Sequence, residues 1–520
     1  MFNMFDKFIK HLTLKNEIKG VNNKQVKPKN IPNSINDINK ELNNLFCKSS
    51  DFEVRTINFQ NKEILIAYID GIADKKYISS SIIKPLISKD IILSSDKDIV
   101  KEIKEKFLYS SEIGDTNNLY SCIDSILSGD AVIFVEDTNK AILVGSKGFE
   151  IRKIDKPDTE VTIRGSKEGF TESLRTNTSL LRRRIKNTNL IFESIKLGKK
   201  TNTEICISYI KDIVNEDILK TVKRRIKRID VDSILESGYI EEFIQDSPFS
   251  FFPTVGNSEK PDIVASKLLE GRVAIIIDGT PFVLTVPYLF IESLQVAEDY
   301  YSRAPLTIFI RLLRFLALLI SVLLPAIYVS TVNFHKGFIP FKLLLSVSAS
   351  REGIPFSPLA ESLLMLTAFE FLREAGVRMP RPAGQAVSIV GALILGDASV
   401  KAGFVSNPMI IVVALTAICS FLALPLNGSL PLIRLVFLIS SNIIGFMGII
   451  FTLLIILIHM CRLRSFGVPY LSPFSPLIGE DLKDSLIKVP FWHMFTRPKS
   501  IIKDTEKYYR MKINYIKKED

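Results

Sequence analysis

The chain has 520 residues, of which 47% are apolar, a net charge of +11 and a mean hydropathy of +0.22. A strongly basic soluble protein is not expected to have positive hydropathy, so the composition argues against a wholly soluble protein. Lys, Asn, Ile and Asp are abundant before residue 304, whereas Leu, Ile, Val, Ala and Phe dominate residues 315–460. We therefore expect a basic soluble region joined to an apolar membrane region.

The first residues do not resemble a signal peptide. Charged residues interrupt the apolar runs of residues 1–10, so no apolar leader core is present. We expect the front half to stay in the cytoplasm and residues 1–40, rich in Asn and Lys, to form a flexible basic tail. The five cysteines are scattered without a CxxC pair, which indicates neither a disulfide framework nor a structural zinc site.

Two copies of one α/β unit are predicted in the front half. The first copy has a β-rich run at residues 64–74 and a strand–turn–strand pattern at residues 128–144. The second copy has the same features at residues 205–215 and 270–286. Tyr68 and Gly129 are 61 positions apart, and the matching Tyr209 and Gly271 are 62 apart. This agreement favours a tandem duplication, with chance similarity between Ile-rich strands as the alternative.

The residues between and after these copies carry no recognisable chemistry. Gly165 and Gly169 are not followed by Gly-Lys-Ser/Thr, so a phosphate-binding loop is not predicted. The basic runs at residues 182–184 and 223–228 are expected to face anionic lipid or solvent, because basic patches alone do not indicate nucleic-acid binding. The chain has neither HExxH nor GxSxG. We predict no catalytic, cofactor-binding or metal-binding residues, no nucleic-acid partner and no enzymatic activity.

Five apolar segments follow. They are residues 315–332, 359–376, 384–395, 408–424 and 430–460. The first is long enough to span a bilayer, and the arginines before it (Arg303, Arg311, Arg314) predict a cytoplasmic start. Pro325 is expected to kink it.

The second segment is predicted to be an amphipathic helix. Ser357 and Pro358 are typical of its cap and first turn, and Gly376 of its end. Glu361 and Glu370 either face an aqueous path within the membrane or belong to a helix that lies on its surface.

The remaining segments differ in length. Residues 384–395 are short and rich in small residues, which indicates either tight helix packing or a re-entrant segment. Residues 430–460 are long for one span and are expected to tilt or protrude. Arg462 and Arg464 place the C-terminal tail in the cytoplasm. Because both ends lie inside, the number of crossings is even; we expect four, with residues 359–376 or 384–395 as the exception.

The segments 372–391, 405–418 and 464–474, together with the linker 160–184, resemble the GerA-type spore germination receptor A subunit. The resemblance spans residues 41–498 and implies a component of the spore inner membrane. It also implies a transporter-like B subunit and a lipoprotein C subunit as partners, with nutrient sensing in the B subunit. In this family the A subunit is thought to form a ring that encloses an ion pore.

Given this resemblance, we expect the short segment of small residues, 384–395, to line the pore. Its small residues are expected to pack around a narrow axis, and its last two apolar residues to form a hydrophobic gate. Glu361 or Glu370 is expected to attract cations at a vestibule. The candidate pore and gate residues are Gly384, Ser388, Gly391, Ala392, Ile394 and Leu395.

The predicted fold class is an α/β soluble N-terminal region of two tandem α/β subdomains followed by an all-α transmembrane domain. The expected divisions are residues 1–40 (tail), 41–150 (first subdomain), 151–300 (linker and second subdomain), 301–465 (transmembrane helices) and 466–520 (cytoplasmic tail). The predicted function is a cation-conducting receptor subunit in an oligomeric ring. The alternatives are a non-conducting scaffold or a sporulation-stage homologue that assists solute transport.

Overall fold

The computed structural model contains two α/β lobes, a helical half and a C-terminal segment that returns to the second lobe. The residues it describes are 29–59, 62–87, 99–108, 110, 112–148, 160, 162, 164–379, 391, 396–426, 428–494 and 496–502.

The first lobe is a five-stranded antiparallel sheet with helices on both faces. Its strands, in the spatial order β1-β2-β4-β5-β3, are β1 (Phe52–Phe59), β2 (Lys62–Ile69), β3 (Ile113–Thr116), β4 (Ala131–Val135) and β5 (Ala141–Val144). Its helices are α1 (Ile35–Leu45), α2 (Lys75–Tyr77), which continues through a π-helical segment (Ile78–Ile83) into α3 (Lys84–Ile87), α4 (Ile99–Lys106) and α5 (Leu119–Ser128). Successive strand residues face opposite sides. Ile64 and Ile66 therefore join one core, and Leu65 and Ala67 join the other.

The second lobe repeats this architecture. Its strands, in the order β6-β7-β9-β10-β8, are β6 (Leu190–Leu197), β7 (Thr203–Ile210), β8 (Gly256–Ser258), β9 (Val273–Ile277) and β10 (Val283–Val286). Its helices are α6 (Leu174–Arg184), α7 (Glu216–Lys227), α8 (Ser237–Ile244) and α9 (Pro261–Leu269). The predicted strand–turn–strand patterns are the β4–β5 and β9–β10 hairpins.

The two lobes agree in register as well as in strand order. Ile64 pairs with Val135 in the first lobe, and the equivalent Ile205 pairs with Ile277 in the second. The local signals also correspond: the side chains of Asp74 and Asn215 cap the helices that follow β2 and β7. Duplication of one folding unit produces this agreement, because register and caps are copied together.

The start of the first lobe corrects the predicted tail. Helix α1 begins at Ile35, and Ile31, Ile35 and Ile38 are buried. The packed region therefore begins before residue 41, and the tail assigned to residues 1–40 extends too far toward the lobe. Residues 1–28 lie outside the described part of the chain.

The helical half follows a 3₁₀ turn (Phe290–Leu294) and the short helix α10 (Glu298–Tyr301). Its longer helices are α11 (Ala304–Asn333), α12 (Phe341–Arg351), α13 (Pro358–Arg378), α14 (Asn407–Ser420), α15 (Leu430–Ile444) and α16 (Phe446–Arg462), with 3₁₀ turns at Lys336–Phe338 and Phe421–Leu426. Among the described residues, α11 alone is long and apolar enough to cross a membrane by itself; α14, α15 and α16 are shorter apolar helices.

Three features of the helical half differ from the sequence-based expectation. The run 430–460 is not one tilted span, because the chain reverses at Gly445 and α15 packs against α16. Helix α13 starts at the predicted Ser357 cap but continues through Gly376 to Arg378. Helix α12 was not predicted: Lys342, Arg351 and its serines interrupt the apolar character on which the prediction rested.

The C-terminal segment folds onto the second lobe. It contains the two-residue strands β11 (Arg464–Ser465) and β12 (Val468–Pro469) and a 3₁₀ turn (Phe491–His493). Tyr288 N–H donates to Ser465 Oγ at 3.0 Å, and Phe290 N–H donates to the Tyr470 carbonyl at 3.0 Å. Residues 466–502, which were predicted to begin a cytoplasmic tail, therefore pack against the second lobe as part of the folded protein.

One basic residue assigned to the surface lies inside the protein. Arg182 is fully buried and makes two hydrogen bonds of 2.8 Å to the two carboxylate oxygens of Asp51. Its ring-face contact with Phe192 completes a link between the first lobe and α6. The expectation that residues 182–184 all face lipid or solvent was therefore wrong for Arg182.

Candidate functional site

Glu361 lies at the start of α13 and is fully buried. One carboxylate oxygen accepts hydrogen bonds from Ser406 N–H at 3.0 Å and Ser406 Oγ at 2.8 Å, and the other lies 3.0 Å from Arg351 Nη2. Ser406 precedes the first residue of α14, so the anion lies at that helix N-terminus, where negative charge is stabilised. In the described chain, Glu361 joins α12, α13 and α14.

Glu370 lies two turns further along α13 and is paired with two arginines. Its Oε2 lies 2.7 Å from Arg373 Nη2, and its Oε1 lies 3.6 Å from Arg434 Nη1. About a quarter of its side chain is exposed, so it retains contact with the surroundings of the bundle. The vestibule role of Glu361 and Glu370 stays a prediction, and Glu370 is the more accessible of the two carboxylates.

Arg434 connects Glu370 to the predicted kink in α11. Pro325 has no N–H, so the Ser321 carbonyl four residues earlier has no intrahelical donor. Arg434 Nε donates to that carbonyl at 2.8 Å, and the side chain is almost fully buried. A single buried cation therefore holds α11, α13 and α15 together at the point where Pro325 removes one backbone hydrogen bond of α11.

The sequence carried a signal for this residue that the prediction did not use. Arg434 is an isolated charge inside the apolar run 430–460, and charges at such positions usually face the bundle interior and have a partner. The partners themselves, Glu370 and the Ser321 carbonyl, are distant in sequence. They become visible only when the helices are packed.

The predicted pore segment is mostly outside the described residues. Gly384, Ser388, Ala392, Ile394 and Leu395 are not described, and Gly391 is. A Cβ placed on Gly391 would come within 2.6 Å of Leu372 Cδ2, so the backbone at Gly391 lies against α13. The small residue permits this close contact, and the atom that a larger side chain would meet is the end of the flexible Leu372 side chain.

A second buried charge cluster lies where α11 meets the lobe and the C-terminal segment. Arg311 Nε donates to Asp299 Oδ2 at 2.9 Å, and its Nη1 donates to Asp484 Oδ1 at 3.0 Å. Arg314 Nη2 also donates to Asp299 Oδ1, at 3.3 Å, and Tyr300 OH donates to Asp484 Oδ2 at 2.9 Å. These bonds hold the first turns of α11 against Asp299, which precedes the helical half in the sequence, and against Asp484, which follows it.

The environment of this junction disfavours unpaired charge. Burial raises the pKa of the Asp484 carboxyl above its ordinary value, against the opposing effect of Arg311. Burial lowers the pKa of the Lys488 ammonium, and Arg311 lowers it further. The charges therefore depend on each other, and loss of Arg311 would leave two carboxylates without their shared cation.

Comparison with known proteins agrees with the resemblance. The family model described as Bacillus/Clostridium GerA spore germination protein matches residues 40–500. Spore germination protein KA of Bacillus subtilis (strain 168) is 46% identical over 461 residues, covering 88% of this chain and 84% of that protein. The uncharacterized membrane protein YfkQ of the same strain is 42% identical, covering 86% and 88%. Spore germination protein GerLA of Bacillus cereus is 34% identical, covering 92% and 96%.

A solved structure is also similar in sequence to about half of the chain. It is the crystal structure of the N-terminal domain of the A subunit of the Bacillus megaterium spore germinant receptor GerK3. It is 33% identical, covers 51% of this chain and 98% of that one, and has a TM-score of 0.41. With the family model matching most of its length, the chain belongs to the GerA family of Bacillus and Clostridium spore germination proteins.

Proposed function

We propose that this chain is a membrane subunit of a nutrient-responsive spore germinant receptor, and that copies of it form a ring around a cation-conducting pore. Nutrient binding in a partner subunit opens the pore; the chain itself carries out no chemical step. The observation that supports the pore assignment most directly is the close approach of Gly391 to Leu372. Gly391 belongs to the small-residue segment, and Leu372 lies on α13, the helix that also carries Glu370.

The surface of the helical half supports its placement in a membrane. Large apolar side chains are exposed on several helices, among them Ile411 on α14, Ile443 on α15, and Ile455 and Ile458 on α16. Many large exposed apolar side chains on neighbouring helices are typical of contact with lipid or with another protein. We place the chain in the spore inner membrane, with both lobes and the C-terminal segment on the cytoplasmic side.

The helix contacts support six passes, two more than the number expected from sequence. Helix α11 leads away from the lobe and ends near the reversal at Gly445. Helix α13 starts at that distant side and returns, because Phe369 lies against Phe421 near the lobe. Helix α14 also returns, since Ser406, the residue before its start, lies beside Tyr328 near the distant end of α11. The segment joining α13 to α14 must then cross the membrane, and α15 and α16 provide the last two passes.

The family supplies the partners of this proposal. A transporter-like B subunit would bind the nutrient, and a lipoprotein C subunit would complete the receptor. The pore would be enclosed by copies of this chain, with Ile394 and Leu395 as its hydrophobic gate and Gly384, Ser388, Gly391 and Ala392 allowing close packing around the axis.

The experiment is nutrient-triggered potassium release from spores. The strains carry the wild-type chain, a deletion, Leu395→Trp, or Ile458→Trp as a matched bulky substitution on the exposed face of α16. We expect the deletion and Leu395→Trp to lose early potassium release while the Leu395→Trp receptor still assembles, and Ile458→Trp to behave as wild type. Normal release from an assembled Leu395→Trp receptor would contradict the gate. Normal germination of the deletion strain with every nutrient tried would contradict the receptor function and leave a membrane scaffold.

A further inference from the structure

The loop between α8 and β8 presents an unusual aromatic surface. Phe249 is 99% exposed and Phe251 is 40% exposed. Burial of a phenylalanine side chain contributes roughly 1.5–3 kcal/mol, so two exposed rings beside other exposed apolar side chains are typical of a contact surface for lipid or protein.

The loop is held beside the last turn of α16. Ser250 Oγ lies 2.9 Å from His459 Nε2, and Phe252 packs against the rings of His459 and Tyr470. His459 is three residues before the end of α16 at Arg462, about 4.5 Å along the helix axis. Ile455 and Ile458 on the same helix are exposed. Phe249 therefore lies at the level where the apolar surface of α16 ends.

Basic side chains border the loop on its lobe side. Arg225 Nη2 donates to Asp246 Oδ1 at 2.6 Å, and Asp246 Oδ2 accepts from Phe466 N–H at 2.6 Å. These bonds neutralise the carboxylate nearest the loop and bring the C-terminal end of α7 to it. Exposed cations lie within a few residues of these contacts along the chain; they are Arg224 and Lys227 on α7, Arg228 just after it, Arg462 at the end of α16 and Arg464 just beyond.

We propose that the Phe249 loop is an interfacial anchor that seats the second lobe on the anionic headgroups of the membrane. An aromatic side chain at the end of a spanning helix, followed by Lys and Arg on the cytoplasmic side, matches the polarity profile of a bilayer interface. Continuity with the exposed apolar face of α16 identifies lipid, rather than a protein groove, as the partner. The inference depends on the proposed membrane placement of α16.

The single tryptophan of the chain, Trp492, makes a direct test possible. The full chain carrying Trp492→Phe receives one new tryptophan: Phe249→Trp in the loop, Ile458→Trp on α16, or Leu235→Trp. Leu235 is 62% exposed and lies beside Gly279, at the end of the sheet opposite Tyr288 and Ser465. Each variant is placed in phosphatidylglycerol nanodiscs that contain lipid brominated either near the headgroup or near the chain ends.

We expect the Phe249→Trp variant to show a blue shift and a loss of emission with bromine near the headgroup, and less loss with deep bromine. The Ile458→Trp variant should be quenched and the Leu235→Trp variant should not. If Ile458→Trp is quenched and Phe249→Trp is not, the anchor is wrong while the membrane placement stands. A blue shift without quenching also overturns it, because a second copy or a partner protein then covers the loop. If neither is quenched, the membrane placement fails as well.

The headgroup preference is tested by replacing phosphatidylglycerol with zwitterionic phosphatidylcholine. We expect weaker shallow quenching of the Phe249→Trp variant in the neutral lipid, because the exposed cations lose their counter-charges. Equal quenching in both lipids would overturn the assignment of anionic headgroups as the partner.

Discussion

Arg434 donates a hydrogen bond to a backbone carbonyl that lacks a helical donor, and it lies close to the Glu370 carboxylate. A proline inside α11 leaves the Ser321 carbonyl without its helical donor, and α13 brings Glu370 close to the same point. In lipid, an unpaired backbone carbonyl is costly, so helices with internal proline rely on neighbouring donors. The arginine supplies that donor and at the same time has its charge partly balanced by Glu370.

A double-mutant cycle between Pro325 and Arg434 tests this relation. Arg434→Leu should lower the free energy of unfolding by roughly 3 kcal/mol, because it leaves the buried Ser321 carbonyl without a donor and Glu370 with Arg373 as its remaining partner. Pro325→Ala restores an N–H that donates to the same carbonyl. In that background Arg434→Leu should cost about 1 kcal/mol less. The measurement is unfolding of the purified chain in detergent, and strictly additive effects would contradict the link.

The bidentate pair of Arg182 and Asp51 joins the first lobe to α6 and has almost no exposure to solvent. Asp51→Asn should lower the free energy of unfolding by about 3 kcal/mol, because it leaves a buried guanidinium without its counter-charge. The matched control is Glu216→Gln in the exposed Lys220–Glu216 pair, expected to cost less than about 1 kcal/mol. Equal effects of the two substitutions in urea unfolding would show that burial does not distinguish them.

The α15–α16 hairpin depends on one backbone position. Gly445 has φ +65° and ψ −139°, a region that side-chain-bearing residues rarely adopt. A Cβ there would also lie 2.8 Å from His335 Cε1, at the distant end of α11. The two arms then pack closely, since a Cβ on Gly448 would meet the Ser440 carbonyl at 2.1 Å. The reversal therefore needs glycine both for its backbone angles and for its fit against α11.

Gly445→Ala should destabilise the helical half by about 3 kcal/mol, from backbone strain together with the clash against His335. Gly353→Ala is the control, because Gly353 also has positive φ (+84°) but open space around its Cβ position. It should cost only about 1 kcal/mol. Thermal unfolding in detergent measures both, and equal losses would mean that the contact with His335 contributes nothing.

Local signals predicted the elements whose causes are local. The strand–turn–strand pattern of residues 270–286 predicted the β9–β10 hairpin, and Ser357-Pro358 predicted the start of α13, because turn and cap chemistry is complete within a few residues. Gly376 did not end α13, since a glycine inside a helix costs only about 1 kcal/mol. Gly445 looked like the same kind of tolerated glycine, and nothing in the apolar run around it marked the reversal.

Contacts between distant parts of the chain could not be predicted from the sequence. Arg182 belongs to a basic run that is typical of an exposed helix face, yet its partner Asp51 lies 131 residues earlier. The α/β character and the repeat were predictable because strand periodicity and spacing are internal to each copy. The partners of Arg311 and Arg434 follow from packing, which spacing along the chain does not encode.

The second lobe, the first turns of α11 and the C-terminal segment are in contact with one another. Arg311 contacts both Asp299, just before α11, and Asp484, after the last helix. A movement of the lobes would therefore be transmitted to both ends of the helical half. This gives the cytoplasmic part of the proposed receptor a physical connection to the proposed pore.

Arg311→Met should release the C-terminal segment while the second lobe stays folded. Amide hydrogen exchange in residues 481–488 should rise at least tenfold, because the loss of the shared cation destabilises that contact by more than about 1.4 kcal/mol. Arg303→Met, an exposed arginine just before the same helix, is the matched control and should leave exchange unchanged. Unchanged exchange in the Arg311→Met variant would contradict the coupling.

We expect residues 384–395 to line a cation path that nutrient opens. The most direct measurement uses the complete receptor in vesicles, with Cys47→Ser and Cys461→Ser removing the cysteines that are not buried, and Ser388→Cys added. A positively charged thiosulfonate should modify Cys introduced at Ser388 faster after nutrient is added, and should then stop potassium flux. Ile458→Cys, on the exposed face of α16, should show neither effect. Full modification of the introduced cysteine with undiminished flux would show that residue 388 does not line the cation path.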